Sequence, residues 1–270
     1  MGGRGTGAGV TISGEFSYRQ PAFTYKDYDN LFRTPALFVQ LPPAHAFLMN
    51  PHYIARTGKE RGNDPASPAE WDRAYARQGR LWGGVPLPIP PLPVQSRILE
   101  LGCGNGKTVA ALSQKTENLI ALDFSPQACR LARRQLAGRG MADILTADAR
   151  AIPLTAGSVD AVIAYHVAGH LLHRDRLLLF RESARVLKRG GLFLFCDFST
   201  EDFRCGTGEE VEEMTYRRGN GIITHYFTDE EVRSLASGLQ PDSIRTHRWS
   251  LKVRGQDHRR AEIIASFMRP

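Results

Sequence analysis

The chain has 270 residues, 42% of them hydrophobic, and a formal net charge of +7. That length accommodates one large domain with appendages, and that apolar fraction is ordinary for a packed core. No apolar run approaches the ~18 residues of a membrane span, no charged-then-apolar leader is evident, and the four cysteines form no C-x-x-C pair. A cysteine pattern of this kind suggests neither a zinc site nor a disulfide framework, so a reduced, cytoplasmic setting is expected. The positive balance permits an acidic partner such as RNA without requiring one.

Residues 1–66 read as an N-terminal extension. The start, Met1 to Thr6, fits both a myristoylation pattern and a plain Gly-rich disordered segment. Aromatic residues follow (Phe16, Tyr18, Phe23, Tyr25, Tyr28), and Thr34-Pro35 and Leu41-Pro42-Pro43 interrupt any helix. Three readings stand: a lid over a substrate pocket, a loosely packed arm, or an over-long start with Met49 as the natural first residue. Residues 67–270 read as the main domain. Ser67-Pro68-Ala69-Glu70 is a helix start, with Ser67 as cap and Pro68 in the first turn. Trp71 and Tyr75 share a face of that helix, which ends near Gly79. Pro86 to Pro93 favours extended polyproline geometry and reads as a stiff spacer.

From residue 97 strands and helices alternate, the pattern of a parallel sheet. Strands are expected at 97–101, 119–122, 142–147, 159–164 and 192–198. Helices are expected at 107–115, after the Ser125-Pro126 cap, at 174–187, and after the Thr228 cap. Residues 199–226, with the acidic patch Glu209, Glu210, Glu212 and Glu213, read as an insertion or substrate cap. Two last strands, 243–250 and 261–268, are expected to flank a basic loop from Lys252 to Arg260.

The most informative stretch is Arg97 to Lys107. A short apolar strand runs into Gly102, Gly104 and Gly106 and then a helix, which puts free backbone N–H groups at one point. A dinucleotide fingerprint would need glycine where Lys107 stands. A phosphate loop would need glycine where Leu101 stands, and Glu100 would bring negative charge towards the phosphates. The third reading is an acidic-x-G-x-G-x-G loop, in which the carboxylate stands beside a cationic ligand. In that reading Glu100, Gly102, Gly104 and Gly106 resemble motif I of the class I S-adenosylmethionine-dependent methyltransferases residue for residue.

The resemblance extends over about residues 70–268. Glu70-Trp71-Asp72, Tyr75 and Trp82-Gly83 resemble the segment before motif I in small-molecule and tRNA-modifying methyltransferases, where an aromatic residue covers the cofactor. The strand pattern resembles the family's α/β architecture: a Rossmann-like, doubly wound, seven-stranded sheet, mostly parallel with the last strand antiparallel, here with an N-terminal extension. The resemblance implies S-adenosylmethionine as cofactor. It implies cofactor contacts from Glu100, Gly102, Cys103, Gly104 and Gly106, and from Asp123 and Phe124 after the second strand. Asp148 and Ala149 after the third strand, Tyr165 after the fourth, and Tyr75 or Trp82 from the preceding segment complete the set. Asp123 suits both ribose hydroxyls, and Asp148 an adenine amino group.

His166 and Tyr165 follow the fourth strand and are the catalytic candidates, with His166 either a pocket residue or base or an ordinary helix-start residue. His225 and Tyr226 are weaker acceptor-pocket candidates. His166, His170 and His173 have metal-like spacing but lack the Glu of H-E-x-x-H, so no metal site is expected. The expected function is methyl transfer by in-line displacement to a small molecule or nucleoside. The alternatives are an RNA, tRNA or protein methyltransferase, a non-catalytic S-adenosylmethionine-binding protein, or a phosphate-loop nucleotidase. The absence of N-P-P-Y-type and Pro-Cys motifs disfavours base amino methylation and the C5-pyrimidine mechanism.

Overall fold

The computed structural model describes residues 68–81, 89–138 and 140–270. The expectations for residues 1–66, Met49, the Ser67 cap, Trp82 and most of the proline-rich spacer lie outside the described residues. Helix α1 (Pro68–Gln78) opens with Glu70 in its first turn and ends at Gly79. Gly79 turns with φ 64° and donates its N–H to the Tyr75 carbonyl at 2.8 Å.

The chain then alternates. β1 (Ile98–Leu101), α2 (Lys107–Leu112), β2 (Leu119–Asp123), α3 (Pro126–Leu136), β3 (Asp143–Thr146), β4 (Val159–Tyr165), α4 (His173–Val186) and β5 (Leu187–Phe198) follow one another. After them come β6 (Glu209–Glu212), β7 (Thr215–Arg217), β8 (Ile223–His225), α5 (Asp229–Leu235), β9 (Gln240–Val253) and β10 (Gln256–Met268). Seven strands form one sheet in the order β3-β2-β1-β4-β5-β10-β9. β1 to β5 pair in parallel, and β10 inserts antiparallel between β5 and β9.

Both faces of the sheet are covered, so its central strands read as continuous apolar runs. On β4, Val162 and Ala164 pack with Leu179 and Phe180 of α4, while Ala161 and Ile163 pack with Val109 and Leu112 of α2 and Cys129 of α3. β5 splits the same way, Phe193 and Phe195 to one side and Leu194 to the other. The order reverses at β1, where the chain leaves β3 and crosses back to β4. A crevice for a ligand lies outside the carboxyl ends of the strands at such a point.

Three boundaries differ from the sequence reading. β5 begins at Leu187, because Gly190 and Gly191 form a bulge that still pairs with Arg269 rather than a separate turn. The supposed basic loop Lys252–Arg260 is mostly strand: Lys252 pairs with Asp257, and Arg260 with Trp249. Only Arg254 (φ 49°) and Gly255 (φ 82°) turn, the pair of positive φ angles that a tight two-residue hairpin needs. The insertion is a three-stranded antiparallel sheet, β6-β7-β8. It is anchored by Arg176 of α4, which lies 3.7 Å from Glu212 and 3.4 Å from Glu231. Among the described residues no helix is long and apolar enough to cross a membrane.

Ser125 caps α3 as expected, accepting the Ala128 N–H at 3.1 Å. Its hydroxyl also donates to Asp72 of α1 at 2.5 Å, so one side chain fastens α1 to the sheet layer. Replacing Ser125 by Ala removes a cap and a charge-assisted hydrogen bond together, an expected cost of about 2 kcal/mol. Thermal melts should fall by about 4–8 °C. An unchanged melting temperature would show that neither bond contributes.

Candidate active site

β1 delivers Glu100 to the mouth of the crevice, and Gly102, Gly104 and Gly106 carry the chain round with φ of 65°, 53° and 83°. Two of these glycines are also demanded by space. A Cβ on Gly102 would stand 2.8 Å from Val167 Cγ2, and one on Gly106 would stand 2.8 Å from the Ala132 Cα. The Gly104 N–H donates to Asp123 Oδ2 at 2.9 Å, and the Ser125 N–H donates to Asp123 Oδ1 at the same distance. The end of β2 therefore grips the glycine loop directly.

The two carboxylates on this floor are buried. Burial pushes Glu100 up to about 8, against the opposing pull of the Thr108 hydrogen bond and the Lys107 charge. One of its oxygens, Oε2, has no hydrogen-bond partner among the described residues. Burial likewise pushes Asp123 up to about 6, offset in part by the Ser125 and Gly104 amides.

Six expected cofactor residues, Tyr75, Gly102, Asp123, Phe124, Asp148 and Ala149, line one cavity at the strand ends, and His166 lines it with them. Asp148 is held by the Arg150 guanidinium, with Nε to Oδ1 at 2.9 Å and Nη2 to Oδ2 at 2.8 Å. Arg150 reaches on to Asp175. Glu100, Gly104 and Gly106 belong to the adjoining strand end and loop and do not line the cavity. Cys103 turns away: its side chain packs in the core beside Cys129, so only its backbone belongs to the loop. Tyr165 ends β4 against the same core and does not line the cavity. His225 is occupied by Thr215 at 2.8 Å and Glu231 at 2.7 Å, and Tyr226 is fully buried.

The cavity also has walls that were not assigned to it from sequence: Trp71, Val167, His170 and Leu171. Trp71 lies edge-on to His170 with ring centroids 4.7 Å apart, and tilted to Tyr75 at 6.0 Å. The i, i+4 spacing of Trp71 and Tyr75 was the available signal, read as an apolar helix face. His170 bonds the Ile223 carbonyl through Nδ1 at 2.8 Å, fixing the small sheet to this wall.

His166 holds a left-handed backbone, φ 55°, uncommon for a side chain that is not glycine. Its ring packs on Phe198 at 4.8 Å. Nδ1 lies 3.8 Å from Asp197 Oδ1, and Nε2 lies 3.5 Å from Glu262 Oε1. The Cys196 thiol approaches the other Glu262 oxygen at 3.7 Å. Burial pushes Asp197 up, but His166, His170 and the Gly169 amide outweigh it and hold its carboxyl below the usual carboxylate range. Asp197 was findable as a carboxylate near the end of β5, by the logic that found Asp123. Glu262 had no local signal, because it arrives by antiparallel pairing opposite Phe198.

A second cavity lies on the other side of Trp71 and His170, between α1 and the three-stranded sheet. Its lining includes Glu70, Phe198 and the arginines 73, 77, 204 and 218. The two cavities thus share one aromatic partition, Trp71 and His170.

Comparison with known proteins agrees with this geometry. Residues 99–195 match a family model described as a methyltransferase domain. Over 242 aligned residues the chain is 28% identical to the tRNA N(3)-methylcytidine methyltransferase Mettl2 of Drosophila melanogaster, covering 78% of this chain and 74% of that protein. Over 105 residues it is 38% identical to the demethylmenaquinone methyltransferase of Clavibacter sepedonicus, covering 38% of this chain and 42% of that protein. It therefore spans less than half the length of this second relative. A solved S-adenosylmethionine-dependent methyltransferase from Methanosarcina mazei shares the fold, with a TM-score of 0.56, 22% identity, and coverage of 68% of this chain and 100% of that one. The glycine loop over a buried carboxylate, the strand order and these relatives agree on one point: residues 99–195 form a methyltransferase domain, similar to those of the class I S-adenosylmethionine-dependent methyltransferases.

Proposed function

We propose that this methyltransferase acts on a nucleoside of RNA, of the tRNA class. The observation that carries this reading is the second cavity, which joins the cofactor cavity across Trp71 and His170 and combines aromatic walls with arginines. Aromatic faces stack on bases, and guanidinium groups meet phosphates. The tRNA-modifying relative supports it over most of both chains. A small aromatic acceptor is the second reading, supported by the demethylmenaquinone relative, but that match extends over only 105 residues.

The residues present suit S-adenosylmethionine. Glu100 has a buried oxygen with no hydrogen-bond partner among the described residues, the chemistry that an ammonium group would satisfy. Asp123, with each oxygen already accepting one amide, keeps lone pairs for ribose hydroxyls. Asp148 and the Ala149 amide would meet the adenine edge. When bound, the cofactor supplies an electrophilic methyl group on a positively charged sulfur. Tyr75, Trp71 and Phe124 exclude water from that space. Positioning of this kind accounts for roughly 7–11 kcal/mol of a displacement barrier. A ring nitrogen acceptor carries its lone pair already and needs no base, whereas an acceptor losing a proton needs one. His166, steadied by Asp197 and Glu262, is the residue we place against the acceptor.

The test is incubation with methyl-labelled cofactor and separate tRNA, protein and small-molecule fractions. Label is expected in tRNA; label only among small molecules would favour the second reading. Asp123→Ala should weaken S-adenosylmethionine binding by about 10- to 100-fold, the value of one or two hydrogen bonds to a charged group. Calorimetric titration measures it, and unchanged affinity would remove Asp123 from the site.

Glu100 gives a prediction with a sign. Its acid form persists in the folded protein up to about pH 8 but is lost near pH 4.5 in the unfolded chain. The unfolded state therefore binds fewer protons between those values, and stability falls as pH rises through that window. Without cofactor, Glu100→Gln should melt above the wild type at pH 8.5, with the difference closing below pH 4.5. The same variant should bind cofactor more weakly. A pH-independent difference in melting temperature would refute the buried-acid account.

A further inference from the structure

We propose that the cavity between α1 and the three-stranded sheet is a phosphate subsite, where Arg73, Arg77, Arg204 and Arg218 hold a phosphate of the acceptor. The inference rests on the methyltransferase reading for its purpose, but the binding it describes is measurable without turnover.

The charge balance is one-sided. Among the described residues the wall presents four guanidinium groups and a single carboxylate, Glu70. Arg204 does meet Asp202 behind it at 2.8 Å, but that buried carboxylate also serves Arg260 at 2.6 Å. Two cations thus share one anion. Arg218 donates to the Tyr226 hydroxyl and, at 3.4 Å, to the Arg204 carbonyl, both uncharged acceptors. Arg73 and Arg77 stand one turn apart on the exposed face of α1, an i, i+4 pair of like charges that weakens a helix unless something answers it.

The cavity is also partly built in advance. The Arg204 guanidinium lies over the Phe198 ring at 4.0 Å, and that of Arg218 lies 6.0 Å from the Tyr226 ring centre. Stacked guanidinium groups keep their forked N–H donors in a plane, the arrangement that meets a phosphate with two parallel bonds. Ordering them before binding removes part of the entropic cost of holding an anion. The cavity, about 490 Å³, is within the range of small-ligand sites. It shares Trp71 and His170 with the cofactor cavity, so an anion held on the arginines keeps the attached ring beside the partition. Glu70, with one buried oxygen lacking a partner, is placed to accept an N–H from that ring.

The test uses the full chain saturated with S-adenosylhomocysteine and a fluorescently labelled tRNA. The probes are a series of salt concentrations and competition by nucleosides and nucleoside 5′-monophosphates. The double variant Arg73→Gln/Arg77→Gln should bind the tRNA at least about 10-fold more weakly and flatten the salt dependence by about two phosphate contacts. Arg218→Gln should do the same by about one contact. The melting-temperature rise caused by S-adenosylhomocysteine should be unchanged in both. Competition by monophosphates at least about 10-fold better than by nucleosides supports a subsite for a free nucleotide. Failure of both competitors, with a flattened salt dependence in the variants, supports a subsite for the RNA backbone. Unchanged tRNA affinity and salt slope in the variants would overturn the proposal, as would equal competition by nucleoside and monophosphate. If the wild type itself gains no stability from S-adenosylhomocysteine, the methyltransferase reading fails instead.

Discussion

The hydrogen bond from the Gly104 amide to Asp123 joins the turn after β1 to the end of β2 across a parallel pair. That bond forces a buried carboxylate to sit under the glycine loop, in an apolar floor that raises the pKa of both Asp123 and Glu100. Burying two acids in such a floor is costly even with the Lys107 charge and the Gly104 and Ser125 amides to offset it. The cost is tolerated because the rest of the sheet is so thoroughly packed. Its central strands bury apolar side chains on both faces, and β10 covers the edge that β5 would otherwise expose.

The parallel half of the domain was legible because its signals are local. The glycine loop, the strand-end acids Asp123 and Asp148, and the Ser125 cap each lie within a few residues of the element they define. Physical constraints of turn geometry and strand polarity act over that range, so the chain reports them directly. The antiparallel half was read more coarsely. The two last strands were visible, but a charge-rich run was taken for a loop, although a pair such as Arg254-Gly255 is enough to turn a hairpin. Cross-strand pairing then hid Glu262 from any reading along the chain, since its neighbours His166 and Cys196 come from β4's end and β5. Cys103 enters the loop through its backbone rather than its side chain. Its place inside the motif suggested a cofactor contact, but alternation along a buried turn sends its thiol towards Cys129.

The site is assembled from two kinds of structure. The first cavity is carried by strand ends, whose positions are fixed by a sheet with little freedom. The second is carried by α1, by the three-stranded sheet and by side chains that hold one another through ion pairs. Arg176, buried between α4, Glu212 and Glu231, keeps the small sheet in place, and the His170 bond to Ile223 brings it against the partition. A rigid sheet scaffold carrying a separate cap is the arrangement in which one fold accommodates different functions.

Helix α1 faces both sides of that division. Trp71 and Tyr75 point into the cofactor cavity, while Arg73 and Arg77, on the same few turns, face the other space. Asp72, between them in sequence, is the residue that ties the helix to Ser125 and to the Gln127 amide. A short rigid helix tethered in this way cannot adjust one face without moving the other. On the proposed assignment of the two cavities, free energy that one ligand spends in settling this helix is felt by the other, and the coupling is equal in both directions. A helix of three turns then links the two ligands, with no need for a moving domain.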